Sequence, residues 1–164
     1  MIDAEFLQSI EKAFPYQTRP SEGELPFHDD GCYHCEMTVR ELVKYPSPEL
    51  PAPAIRYLCD ELGTLSAKAI VWVLPSYVRH VLTAEDERDP RPTEFLIYNL
   101  SPAPQYAAET REQLSRLTIE QLRALLAIIE RWQGDPRWND YWKTDLMGAS
   151  TFLRTLMEAR AVEQ

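Results

Sequence analysis

Apolar residues recur along this chain with a helical period, and prolines fall between the periodic stretches. Phe6, Leu7, Ile10, Ala13 and Phe14 follow i, i+3, i+4, i+7, i+8, one face of a helix that Pro15 should end. Residues 15–31 hold prolines, glycines and polar groups and predict a loop. A second helix is expected to begin near Cys32, with Asp29, Asp30 and Gly31 as cap residues and Met37, Leu42 and Val43 as its apolar contacts. The proline-rich run from Tyr45 to Pro53 predicts a connector, and Ala54 to Leu62 a third helix stopping at Gly63.

The segment from Ser66 to Leu82 carries the strongest core signal. Ala69, Ile70, Val73, Leu74, Tyr77, Val78, Val81 and Leu82 share helical spacing, and Val71 and Trp72 widen the apolar arc. Pro75 lacks an N–H and clashes with the carbonyl of Val71, so a kink or a division is expected there. The β-branched residues around Val71 to Val73 also suit a short strand, but the length and period on both sides of Pro75 favour helix. Residues 84–93, charged and with two prolines, predict a loop; Phe95 to Leu100 is aromatic-rich enough for a strand but also fits one or two helical turns, and with no partner strand evident elsewhere it is read as helix. Thr118-Ile119-Glu120-Gln121 is a capping box, followed by the face Ile119, Leu122, Leu125, Leu126, Ile129, Trp132 ending at Gly134. Trp138, Tyr141 and Trp142 then read as a connector before a last helix from about Gly148 to Ala161.

Together these elements predict an all-α fold: one domain over residues 1–164, an irregular bundle of about six to seven helices joined by proline-rich connectors. Five glycines against thirteen prolines and an apolar fraction of 45% agree with a helical protein able to bury a core without disulfide staples.

Charge narrows the function classes. The formal net charge is −9, and residues 1–62 carry twelve acids against five bases. That acidic third repels phosphate backbones and anionic lipid, so neither nucleic acid nor membrane is expected as a partner, whereas a basic protein would be steered toward it. Acidity also serves simple solubility. The start Met1-Ile2-Asp3-Ala4-Glu5 lacks the basic and apolar regions of a secretory signal. No apolar run is longer than the six residues Ala69 to Leu74, and three cysteines suit a reducing compartment. The expected location is the cytoplasm.

One constellation carries chemistry. Cys32-Tyr33-His34-Cys35 places two thiols one helical turn apart, with His28 four residues upstream of the first. Both sulfurs can converge on one ion, and His28, Cys32 and Cys35 supply three of the four ligands that tetrahedral zinc requires. His34, Cys59, His80 or a carboxylate would have to supply the fourth, and His34, lying between the cysteines, should point away. The same thiols could act as a redox pair, although Asp29, Asp30 and Glu36 work against a thiolate and no βαβ pattern surrounds them. They could also only pack the start of a helix.

No other catalytic set assembles. His80 follows Ser76 by one turn without a nucleophile elbow, and five scattered glycines leave no phosphate-binding loop. Glu85, Asp86, Glu87 and Asp89 lack the alternation and central glycine of a calcium loop. Trp132, Trp138, Tyr141 and Trp142 either lock a connector onto the core or form a binding surface, the first being the simpler role.

Three phrases carry a family resemblance: Cys32-x-x-Cys35-Glu36, the Leu65-Ser66-x-x-Ala69 entry into Leu74-Pro75-x-Tyr77, and Leu117-Thr118-x-Glu120-Gln121. They resemble a family of small uncharacterised bacterial proteins, over about residues 5–132. The resemblance implies a bacterial cytosolic helical domain and assigns no reaction. The proline-rich connector between the cysteine pair and the kinked helix departs from that pattern. The leading functional expectation is therefore a non-enzymatic protein-interaction module, of the immunity or antitoxin kind. The alternative is a zinc-binding or thiol-redox protein built on His28, Cys32 and Cys35.

Overall fold

The computed structural model describes residues 2–84 and 89–164, and among them the chain is all-α. Eight α-helices follow one another: α1 (Ala4–Ala13), α2 (Tyr33–Leu42), α3 (Ala52–Leu58), α4 (Ala67–Thr83), α5 (Arg91–Leu100), α6 (Ala107–Gln113), α7 (Ile119–Gln133) and α8 (Pro136–Glu163). Short 3-10 turns lie at Glu22–Glu24, Leu62–Thr64 and Pro104–Tyr106. The only β-type contact among the described residues is an isolated antiparallel bridge between Pro26 and Leu65.

The central helix is α4. Trp72, Val73, Tyr77 and Val78 are fully enclosed, and Ser66 caps the helix by accepting the Ala69 N–H at 3.1 Å. The helix is continuous through Pro75 rather than divided. Neighbours tie its polar groups: Leu50 N–H donates to Ser76 Oγ at 2.9 Å, Trp72 Nε1 to Ser47 O at 3.1 Å, and Tyr77 Oη to Pro92 O at 2.7 Å. Arg79 reaches from α4 to the end of α1, where Nη1 donates to Phe14 O at 2.7 Å and to Pro75 O at 2.8 Å. A guanidinium at carbonyls left over by a helix C-terminus is favourably placed.

The α7–α8 pair closes the other side. Thr118 and Gln121 form the expected reciprocal cap at 3.1 and 3.0 Å. Leu122, Leu125 and Ile129 pack with Leu146, Ala149 and Leu153, all fully buried. Gly148 lets α8 approach α5, because a Cβ there would stand 2.3 Å from Ser101 Oγ.

Several boundaries differ from the sequence expectation for one reason: proline is accommodated in the first turn of a helix, where its missing N–H leaves no bond unmade. Pro53 lies in the first turn of α3, Pro92 in that of α5 and Pro136 in that of α8. Helices α3 and α5 thus start earlier than expected. The supposed tryptophan connector is the first part of α8, with a non-helical backbone at Trp142 (φ −119°, ψ 20°). Trp138 packs on the buried Trp132 with ring centroids 6.1 Å apart, the core-locking role, while Tyr141 is 85% exposed. Helix α6 was outside the expectation altogether. The acidic stretch Glu85, Asp86 and Glu87 lies outside the described residues; Asp89 pairs with Arg91 at 2.8 Å.

Candidate metal centre

The segment from Pro15 to His34 contains one buried residue, Leu25, and reaches the body of the protein through backbone contacts. Phe27 N–H donates to Thr64 O at 2.8 Å, and Ser66 N–H to Leu25 O at 2.9 Å. These two bonds flank the Pro26–Leu65 bridge and fix His28 directly after it. Gly31 then turns the chain with φ +83°, a conformation that glycine adopts without strain, and delivers Cys32 to the head of α2.

Cys32 itself, rather than the preceding acids, is the N-cap of α2. Its Sγ accepts the Cys35 N–H at 3.5 Å. One turn of helix brings Cys35 beneath it, almost wholly buried at 1% exposure. Cys35 Sγ stands 3.6 Å from His28 Nδ1 and 3.7 Å from Thr64 O. The ligand atoms of His28, Cys32 and Cys35 all lie within 4.8 Å of one another.

The His28–Cys35 separation suits one ion. With zinc–sulfur and zinc–nitrogen bonds of about 2.3 and 2.05 Å, a tetrahedral N–Zn–S edge is about 3.6 Å long. The His28–Cys35 separation has that length. Two thiols and an imidazole also form the soft-to-borderline donor set that zinc prefers over magnesium or calcium.

Two supporting residues were not visible in the sequence. Thr64 accepts from the Phe27 N–H through its carbonyl, and from the Cys35 S–H in the metal-free thiol; its hydroxyl donates to Thr38 Oγ1 on α2 at 2.9 Å. Glu109 of α6 places Oε1 3.8 Å from His28 Nε2. At that distance the contact is an ion-pair approach rather than a hydrogen bond, and it stands on the nitrogen opposite the one facing Cys35, the place of the outer carboxylate beside a metal-bound histidine. Gln113, one turn further along α6, is buried and donates to Leu65 O at 2.9 Å and Leu62 O at 3.3 Å, docking α6 against the same strip that receives Phe27. Neither Thr64 nor Glu109 belongs to any motif.

Burial pushes the Cys35 thiol up from its ordinary pKa, and the neighbouring Cys32 adds to this while the His28 amide opposes it. A nucleophilic or redox-active thiol requires the opposite shift; a metal ligand needs the same thiolate, which a bound divalent ion makes by displacing the proton. Cys59, also buried, is pushed up as well, chiefly by burial, and its thiol donates to Arg56 O at 3.1 Å. It does not join the group. His34 packs against Tyr33, with ring centroids 5.9 Å apart, and is exposed. His80 is half-buried on α4 and its pKa is lowered, first by desolvation and then by Arg56. Ser76 is committed to Leu50, and His80 lines neither the cleft beside His28 and Cys32 nor the small apolar cavity between α4, α5 and α6.

An open cleft of about 450 Å³ is lined by two of the three residues, His28 and Cys32. His28 and Cys32 form its floor; Glu22, Asp29, Glu36 and Arg40 border it. No family model, curated protein or solved structure matches this chain. Among the described residues no helix is long and apolar enough to cross a membrane.

Proposed function

We propose that this is a zinc-binding helical protein in which His28, Cys32 and Cys35 hold the ion. The observation that carries this reading is the convergence of the three donor atoms within 4.8 Å of one another, the His28–Cys35 pair at tetrahedral spacing, with a carboxylate 3.8 Å behind the imidazole. The ion clamps the loop before α2 to the start of that helix, in a region with little apolar burial of its own. Zinc titration of the metal-free protein tests it. About one equivalent should bind, with loss in Cys32→Ser, Cys35→Ser and His28→Ala. A wild-type chain that takes up no zinc, and whose melting point zinc leaves unmoved, would refute it.

A second reading concerns what the domain does as a whole. The acid excess of residues 1–62, with three carboxylates bordering the cleft, favours a non-enzymatic module that engages a basic protein. Such a partner should be captured from lysate at low salt and released as salt rises. Capture of no stoichiometric partner even at low salt counts against it.

A further inference from the structure

We propose that the His28–Cys32–Cys35 centre is open, and that its fourth coordination position takes an imidazole nitrogen supplied from outside the chain through the adjoining cleft. This rests on the zinc reading above. Among the described residues no fourth histidine, cysteine or carboxylate joins the three donors. Cys59 and His34 make their contacts elsewhere, with Arg56 O and the Tyr33 ring; Glu109 lies by the outer nitrogen of His28; and Glu22, Asp29 and Glu36 line the cleft without joining the donor group. Three protein ligands with one position left free is the arrangement of zinc sites that exchange ligands, not of closed structural ones.

The surroundings say which side is free. The Thr64 carbonyl closes the side of Cys35, and Glu109 and Phe27 flank His28, whose ring meets that of Phe27 edge-on at 4.9 Å. The remaining side is the cleft, whose floor is His28 and Cys32 and whose volume holds a five-membered ring with its attached chain.

Charge selects the class of donor. A divalent ion with two thiolates and a neutral imidazole makes a neutral centre. The cleft wall then adds Glu22, Asp29 and Glu36 against a single Arg40. Anionic ligands meet a negative field on the way in, while a neutral nitrogen base, or one carried on a cationic chain, does not. Imidazole is also a preferred donor for zinc. Such a ring could belong to a small molecule or to a histidine in a basic peptide; both present the same nitrogen.

Cobalt(II)-loaded full-length protein separates the outcomes. Its visible bands report coordination, and it is titrated in parallel with imidazole, thiocyanate, and blocked Lys-His-Lys and Lys-Ala-Lys peptides. Imidazole should shift the bands saturably at a concentration at least about tenfold below that for thiocyanate, the factor expected from one unfavourable charge contact. A Glu22→Gln/Glu36→Gln double variant should narrow that preference several-fold and still take up cobalt. Lys-His-Lys binding more tightly than imidazole, with Lys-Ala-Lys inert, assigns the ring to a peptide; equal or weaker binding assigns it to a small molecule. Cobalt bands that neither ligand moves, or that thiocyanate moves first, overturn the open imidazole site while leaving the metal reading intact. Absence of cobalt bands altogether defeats the metal reading itself.

Discussion

The α7–α8 pair and the segment leading into α2 are held to the same core by different forces. In α7 and α8, Leu122, Leu125, Ile129, Leu146 and Leu153 are all enclosed, and each contributes by removing apolar area from water. Between Pro15 and His34 only Leu25 is enclosed. What fixes that segment is a set of directed contacts: the Phe27 and Ser66 amide bonds, the Thr64 carbonyl, the Glu24–Lys68 ion pair and the His28–Cys35 approach. Hydrogen bonds add little net stability because water competes for the same groups in the unfolded chain. A metal ion has no such competitor of equal strength, so the polar end is where binding one would matter most. The apolar end should be indifferent to metal, and the polar end sensitive to it.

The sharpest way to break this contrast is to damage the apolar end alone. Leu125→Ala should cost about 2–5 kcal/mol, the range for emptying a fully enclosed leucine site. Urea unfolding measures the loss. Zinc affinity of the folded fraction should stay within about twofold, since Leu125 lies on α7 and none of the donor atoms does. A large drop in affinity would show that the two ends are one cooperative unit.

Zinc removal probes the other end. With free zinc about 100-fold above its dissociation constant, binding to the folded state alone should add about 2.7 kcal/mol, a rise in melting temperature of about 5–10 °C. A strong chelator should remove this increment from the wild type and have no effect on Cys32→Ser. Cys32 is the better position to alter because it is only half-buried, whereas Cys35 sits in the core.

How far the sequence revealed these two regions follows from the kind of force in each. Apolar periodicity located α1, α4 and α7, because burial on one face leaves a 3.6-residue signature. The reciprocal cap of Thr118 and Gln121 was equally visible, being local. Pro53 and Pro92 misled because a proline in a first turn and a proline in a connector look alike without knowing the register. Asp135, which caps α8 by accepting the Arg137 N–H at 3.0 Å, was the missed clue beside Pro136. Helix α6 is short and nearly free of apolar residues, so it left no stripe to find. In the site, His28, Cys32 and Cys35 were legible because they lie within eight consecutive residues. Thr64 and Glu109 were not, since only the tertiary docking of α4 and α6 brings them there.

Glu109 gives a smaller effect that refines the contrast. Removing its carboxylate in Glu109→Ala should weaken zinc binding about tenfold, about 1.4 kcal/mol, by loosening the orientation of the His28 ring. Glu109→Gln, which keeps an acceptor oxygen, should recover part of that loss. Competition against a zinc-sensitive dye measures both. Glu109 is exposed on α6 and packs no core, so metal-free stability should change little. Equal affinities in all three proteins would make the 3.8 Å approach incidental.

The smallest expected effect concerns pH. Glu24 belongs to the turn before Leu25 and pairs with Lys68 at the start of α4; that hydrogen bond, aided by Ser21, lowers its pKa from 4.5 to about 2. A carboxyl whose folded pKa is depressed contributes stability that is complete above its unfolded pKa and declines as pH falls toward the folded one. The contribution should therefore be present above about pH 4.5 and fade toward pH 2. Both side chains keep nearly half of their surface in water, so screening keeps the contribution small. Hydrogen exchange resolves it by position. Between pH 5 and pH 3, corrected for intrinsic rates, the amides of Phe27 and Ser66 should lose more protection in the wild type than in Glu24→Gln. Leu125 in α7 should show no such difference. Equal losses at both positions would place Glu24 outside the set of contacts that hold the polar segment.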